Sequence, residues 1–223
     1  MGIYELSLWA DDEENIKKIH SIACQIQTYT KRVVKGGIIK EQGEMLLNNI
    51  AVVLNYWTGS TYIGDRKSKQ LEKAFQAFFK ALYDFIIICR DNDRIFDIRR
   101  SEMILYRGTV YRYLGRQIGY SNDNSIIEPI YNDIYVSWSK KPKYTYIEGK
   151  LSYPITWMTA VIDEPYYGID LVGLSEAINE LIDCKYRIAI KNEQEVVFPT
   201  IKECITDIKY IERNYEEDND EQN

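Results

Sequence analysis

The sequence predicts an α+β fold, with N-terminal helices packed on a mostly antiparallel two-sheet core. Two observations carry this expectation. Over the first ~95 residues apolar side chains recur at three- and four-residue spacing in long runs, the signature of amphipathic helices. Beyond residue 100 or so the texture changes to short β-rich runs separated by polar or Gly/Pro loops, and helices followed by strands suit α+β architecture. The chain has 223 residues, 45% hydrophobic and 28% charged, an ordinary balance for a globular domain. A single domain over 1–215 is expected, with a helical part (1–95), a β-rich part (96–215) and an acidic tail (216–223).

The elements follow in order. From Glu13 to about Val34, Ile16, Ile19, Ile22, Ala23, Ile26 and Tyr29 build one buried helical face, and Gly36-Gly37 ends it. A second helix is expected from about Ile39 to Tyr56, broken by Thr58-Gly59-Ser60. A third runs from about Ser68 to Arg90, with Leu71, Phe75, Phe78, Phe79, Leu82, Phe85 and Ile86 inward. Strands are expected at Met103–Tyr106, Ile134–Val136, Thr156–Ile162, Ile169–Val172, Arg187–Ile190, Val196–Phe198 and Ile205–Ile211, interrupted by one helix at about Leu174–Ile182.

Charge and cysteine exclude several function classes. The net charge is −6, but Glu216, Glu217, Asp218, Asp220 and Glu221 crowd the last eight residues. The remaining chain holds 28 basic against 29 acidic residues, so a duplex-DNA footprint is not indicated. Cys24, Cys89, Cys184 and Cys204 lie far apart in apolar patterns and read as reduced core thiols. His20 is the one histidine. With no close Cys pair beside it, neither a zinc site nor a His-based triad is expected, and no metal is expected. No apolar run reaches the roughly 18–20 residues that span a bilayer, and the opening MGIYELSLWADDEEN lacks a signal-peptide pattern. A soluble, cytoplasmic protein with no membrane partner is expected. Walker, dinucleotide, nucleophile-elbow and helical His-Glu motifs are missing; Gly115 and Gly119 lack the lysine of a phosphate loop.

Three short segments in the β-rich half stand out. Leu105-Tyr106-Arg107-Gly108 ends an apolar strand on arginine, which in isolation reads equally as a solvated edge charge. Tyr135-Val136-Ser137-Trp138-Ser139 delivers two hydroxyls to one side of a strand, although such serines mostly bond neighbouring backbone. Asn192-Glu193-Gln194-Glu195-Val196-Val197-Phe198-Pro199 opens a strand with two glutamates spaced to share a face. The plain alternative is an exposed turn leading into a buried strand.

In this order the three segments resemble the arginine–serine–glutamate class of mono-ADP-ribosyltransferases, of the Glu-x-Glu, arginine-specific type found in phage-encoded and bacterial toxin members. That family carries an aromatic-Arg-Gly strand, then a Ser-Thr-Ser strand, then Glu-x-Glu before a Val-hydrophobic-hydrophobic-Pro strand. Tyr106-Arg107-Gly108, Ser137-Trp138-Ser139 and Glu193-Gln194-Glu195-Val196-Val197-Phe198-Pro199 are similar in turn. Tyr167-Gly168-Ile169-Asp170-Leu171, followed by Leu174-Ser175, resembles the strand before the family's substrate-recognition turn. The layout agrees along nearly the whole chain, while strict motif identity covers about fifteen residues. Trp138 departs from the family's middle threonine, which leaves the detail of the pocket open.

The resemblance implies an ADP-ribosyltransferase core that uses NAD as a substrate. Breaking the nicotinamide–ribose bond builds positive charge on the ribose, as in glycoside hydrolysis, so a carboxylate there stabilises the reacting centre. The resemblance gives that work to Glu195, with Ser137 hydrogen-bonding it and Ser139 nearby. It places Arg107 against the pyrophosphate and Gly108 where its backbone can approach the nicotinamide amide, with Tyr106 among the NAD-binding residues. Tyr144 or Tyr146 would cover nicotinamide. Glu193 would orient a guanidinium acceptor and take its proton, because glutamate here accompanies arginine targets. The implied partner is a target protein. The alternatives are RNA or DNA as acceptor, with Lys140-Lys141-Pro142-Lys143 and interleaved Tyr144 and Tyr146 as the contact, water as acceptor in an NAD glycohydrolase, or a degenerate fold serving as an interaction module. A phage effector, a toxin with an antitoxin, or the catalytic subunit of a binary toxin with a delivery partner would each fit.

Overall fold

The computed structural model describes residues 13–36, 40–61, 69–92, 95–114, 134–142, 155–182 and 194–211. Three long helices come first: α1 (Glu13–Val34), α2 (Lys40–Thr61) and α3 (Lys69–Asp91). Helix α1 takes its place from its spacing. Ile16, Ile19, Ile22, Ala23, Ile26, Tyr29 and Val33 are buried, Glu13 and Glu14 stand at the positive helix end, and Lys31 and Arg32 stand at the negative one. Helix α2 runs about five residues beyond the expected stop at Tyr56. The Thr58 hydroxyl bonds the Asn55 carbonyl within the helix, and the turn chemistry of Thr58-Gly59-Ser60 does not end it.

A short helix, α4 (Ile98–Ile104), then precedes the sheet. Asp97 caps it by accepting from the Arg100 amide at 2.9 Å, a start signal that the strand expectation at Met103–Tyr106 overlooked. The strands are β1 (Leu105–Tyr106), β2 (Gly108–Leu114), β3 (Tyr135–Ser139), β4 (Ile155–Ile162), β5 (Gly168–Asp170), β6 (Glu195–Pro199) and β7 (Ile205–Ile211). Helix α5 (Leu171–Leu181) follows β5 directly. Its cap is Asp170, whose carboxylate accepts from the Val172 and Gly173 amides, so the chain turns helical three residues earlier than expected.

The strands form one hydrogen-bonded sheet of seven, ordered β1-β5-β6-β3-β2-β4-β7, every pairing antiparallel. The α+β class therefore stands, while the two sheets of the expectation are one continuous, curled sheet. Residues 105–114 pair through β1 with β5 and through β2 with β4, and β2 also pairs with β3, which curls the sheet on itself.

Strand alternation separates two cores. Val197, Ile169 and Leu105 pack with the helices in the larger one. Val110, Trp138, Met158, Ala160, Ile162, Val196 and Phe198 fill the other, on the opposite sheet face. Gln76 of α3 ties the layers by bonding both backbone groups of Tyr135, while Phe79 stacks on the Tyr135 ring. Among the described residues no helix is long and apolar enough to cross a membrane.

Candidate active site

Glu195 opens β6 and is buried, at 4% exposure. A carboxylate so enclosed needs hydrogen-bond donors. One is Trp57 of α2, whose indole Nε1 donates to Glu195 Oε1 at 2.8 Å. Trp57 is itself 4% exposed and packs edge-on against Phe75 and Phe79 of α3. Nothing in the sequence order links a tryptophan 138 positions upstream to this glutamate. The available signal is that an indole N–H inside an apolar run must find an acceptor.

The β3–β6 register sets the serines. Ser139 pairs with Glu195 and Ser137 with Val197, so both serines share the face of Glu195. The Ser139 hydroxyl donates to the Lys141 carbonyl at 2.7 Å and accepts from the Lys141 amide, tying the turn after β3. Ser137 offers its carbonyl to Arg112 Nη1 at 3.0 Å. Trp138 projects to the other face, 1% exposed in the second core, with its Nε1 donating to the Phe198 carbonyl. The departure from the family's threonine thus falls in the core and not beside the carboxylate.

Arg112 was not singled out from sequence, because the strand that carries it, β2, was read as loop. Burial lowers its guanidinium to about 10, an effect that the charge of Glu195 opposes. This arginine stands in the electrostatic field of Glu195.

Arg107 lies elsewhere. Its Nη1 pairs with Glu164 at 3.0 Å, its Nε donates to the Tyr166 carbonyl, and its guanidinium lies 4.0 Å from the Tyr167 ring centroid. The ladders place Tyr106 opposite Gly168, and Asp170 opposite Val196. Arg107 therefore lies near the Tyr167 end of β5, and Glu195 near the α5 end, roughly 13 Å apart along the strands at about 3.3 Å per residue. The expected constellation is thus brought together for Glu195, Ser137 and Ser139 but not for Arg107.

Gly108 has φ +136, a conformation side chains disfavour, and a Cβ there would meet the Tyr106 hydroxyl at 2.9 Å. Tyr106 donates to the Thr109 carbonyl, and the enclosure of its phenol raises its pKa. Gln194, just before β6, is left-handed, φ 43. Glu193, Tyr144, Tyr146, Cys184, the strand expected at Arg187–Ile190 and the tail 216–223 lie outside the described residues.

Lys140 of the expected basic stretch pairs with Asp170 at 2.5 Å, while Lys141 is exposed. Cys24 is exposed on α1, which corrects the reading of it as a core thiol: the helix turns that position outward. Cys89 and Cys204 are buried as expected. A groove of about 450 Å³ lies between α1 and α3, lined by Thr30, Lys31, Tyr83, Asp84, Ile87 and others, away from Glu195. In comparisons with known proteins the chain matches no family model, no curated protein and no solved structure.

Proposed function

We propose that this chain is an NAD-dependent mono-ADP-ribosyltransferase of the arginine–serine–glutamate class, which moves ADP-ribose to an arginine of a target protein and releases nicotinamide. On this reading the curled sheet is the ADP-ribosyltransferase core. The observation that carries the proposal is the setting of Glu195: a buried carboxylate at the first position of β6, with an indole donor and a serine directly across the ladder. A fixed carboxylate withdrawn from water stabilises a developing oxocarbenium ion more strongly than a hydrated one.

On this reading the nicotinamide–ribose end of NAD meets Glu195. At the other end, Arg107 is 34% exposed and its partner Glu164 81%, so their ion pair is worth about 0–1 kcal/mol. A pyrophosphate, which the guanidinium fork suits better, would displace it. In the reaction the glycosidic electron pair leaves with nicotinamide, and ADP-ribose passes to a guanidino nitrogen. The displaced proton goes to a base, the part the resemblance gives Glu193. An antitoxin or delivery partner belongs to the same proposal.

The second reading is a degenerate module that binds without catalysis, favoured by the burial of Glu195 and the engagement of Arg107 with Glu164. Transfer to nucleic acid ranks lower, since Lys140 of the basic stretch is occupied by Asp170.

Purified protein incubated with lysate and labelled NAD, with Glu195→Gln in parallel, tests the proposal. Label sensitive to protease and resistant to nuclease, and lost in the variant, is expected. Label lost to nuclease would give the acceptor as nucleic acid. Absence of both label and nicotinamide release from folded protein would overturn the enzyme reading.

A further inference from the structure

We infer that Trp57, supplied by the helical layer, is the positioning residue that holds Glu195 for reaction. The inference rests on the function proposed above and deepens it. By resemblance the holding role belongs to Ser137, but Ser137 stands opposite Val197, and the hydroxyl of Ser139, opposite Glu195, is engaged with the Lys141 backbone. A 2.8 Å bond to a carboxylate oxygen comes from the Trp57 indole.

The geometry suits a holding role. Both partners are 4% exposed, so water does not compete for the bond. The indole is fixed by edge-on contacts with Phe75 at 5.0 Å and Phe79 at 4.7 Å, and Phe79 stacks in turn on Tyr135 at the start of β3. The donor is therefore held against α3, whose Phe79 stacks in turn on the strand that carries the serines. An indole N–H is a donor only, so it favours the ionised carboxylate that the reaction needs. Helices α2 and α3 accordingly belong to the reacting unit and are not a detachable cover.

The test uses the full chain and two readouts. Trp57→Phe keeps an aromatic ring against Phe75 and Phe79 and removes the N–H. In proton–nitrogen spectra the Trp57 indole signal, one of four tryptophans and assigned by its loss in Trp57→Phe, is expected to move in Glu195→Gln. Turnover of nicotinamide release in Trp57→Phe is expected to fall about 10-fold or more with KM for NAD nearly unchanged, as when a reacting group loses its support. The acid limb of its pH–rate profile is expected to move to higher pH, a change that mere loosening of the helices does not produce. An indole signal indifferent to Glu195→Gln would overturn the contact whatever the activity. A moved signal with wild-type turnover in Trp57→Phe would overturn the positioning role. A moved signal in a wild-type protein that releases no nicotinamide would sink the enzyme reading and this role with it, leaving a structural bond. Glu195→Gln, which retains an acceptor oxygen, serves as the folded reference should Trp57→Phe misfold.

Discussion

Ser139 stands directly across from Glu195 in the β3–β6 ladder, whereas Ser137 stands across from Val197. Cross-strand partners have Cβ atoms about 4.5–5.5 Å apart, and diagonal neighbours stand about 7–8 Å away. Ser139 also fixes the turn through Lys141. Ser139→Ala is therefore expected to lower nicotinamide release more than Ser137→Ala. The two variants measured side by side decide it, and the reverse order returns the serine role to Ser137, as the resemblance implies.

Trp138 is expected to act on stability alone. Its side chain is buried in the core on the sheet face away from Glu195, and its N–H satisfies the Phe198 carbonyl. Trp138→Thr, which introduces the residue that the resembled family carries, leaves a cavity and is expected to cost about 3–5 kcal/mol. Urea denaturation measures it. A loss under about 1 kcal/mol would mean that the indole does not fill this core.

What was legible in the sequence follows from periodicity. Helix α1 and strand β7 were read with their observed limits, because Ile16 through Tyr29 repeat on one helical face and Ile205–Ile211 is a bounded β-rich run. Helix α4 and strand β2 were missed. Seven residues hold too few turns to show a period, and Arg112 puts a charge where a strand pattern expects an apolar residue. That Glu195, Ser137 and Ser139 share a sheet face was legible only in part: the spacing within each motif is local, while the register that joins them is not. Trp57 reaches Glu195 through tertiary packing, and Arg112 reaches the Ser137 carbonyl across the sheet, which no spacing along the chain displays. The separation of Arg107 from Glu195 along the strands is equally invisible there, since it depends on β1 and β2 joining different neighbours.

Arg112 and Glu195 are expected to be energetically coupled. The guanidinium is part-buried, bound to the Ser137 carbonyl and within the field of the carboxylate. Arg112→Met leaves a buried negative charge with less compensation, and Glu195→Gln removes that charge. A double-mutant cycle on unfolding free energy is expected to give about 0.5–3 kcal/mol of favourable coupling. Strict additivity would place the two charges in separate networks.

The cysteines offer a check on the fold that does not depend on function. Cys24 is exposed on α1, Cys89 is buried under the helices, and Cys204 ends the 3-10 turn Lys202–Cys204 inside the second core. Only the thiolate alkylates readily. Burial pushes the Cys204 thiol up, and the charges of Glu203 and Asp163 push the same way. Near pH 8, iodoacetamide followed by peptide mass spectrometry is expected to modify Cys24 before Cys89 and Cys204. Cys89 and Cys204 are expected to react at least about 10-fold more slowly, at the rate at which their cores open. Denaturant should erase the difference, because the protection is tertiary. Equal labelling of Cys204 and Cys24 in native protein would mean that the turn into β7 does not close the second core, and with it the packing that seats Trp138 and Val196 behind Glu195.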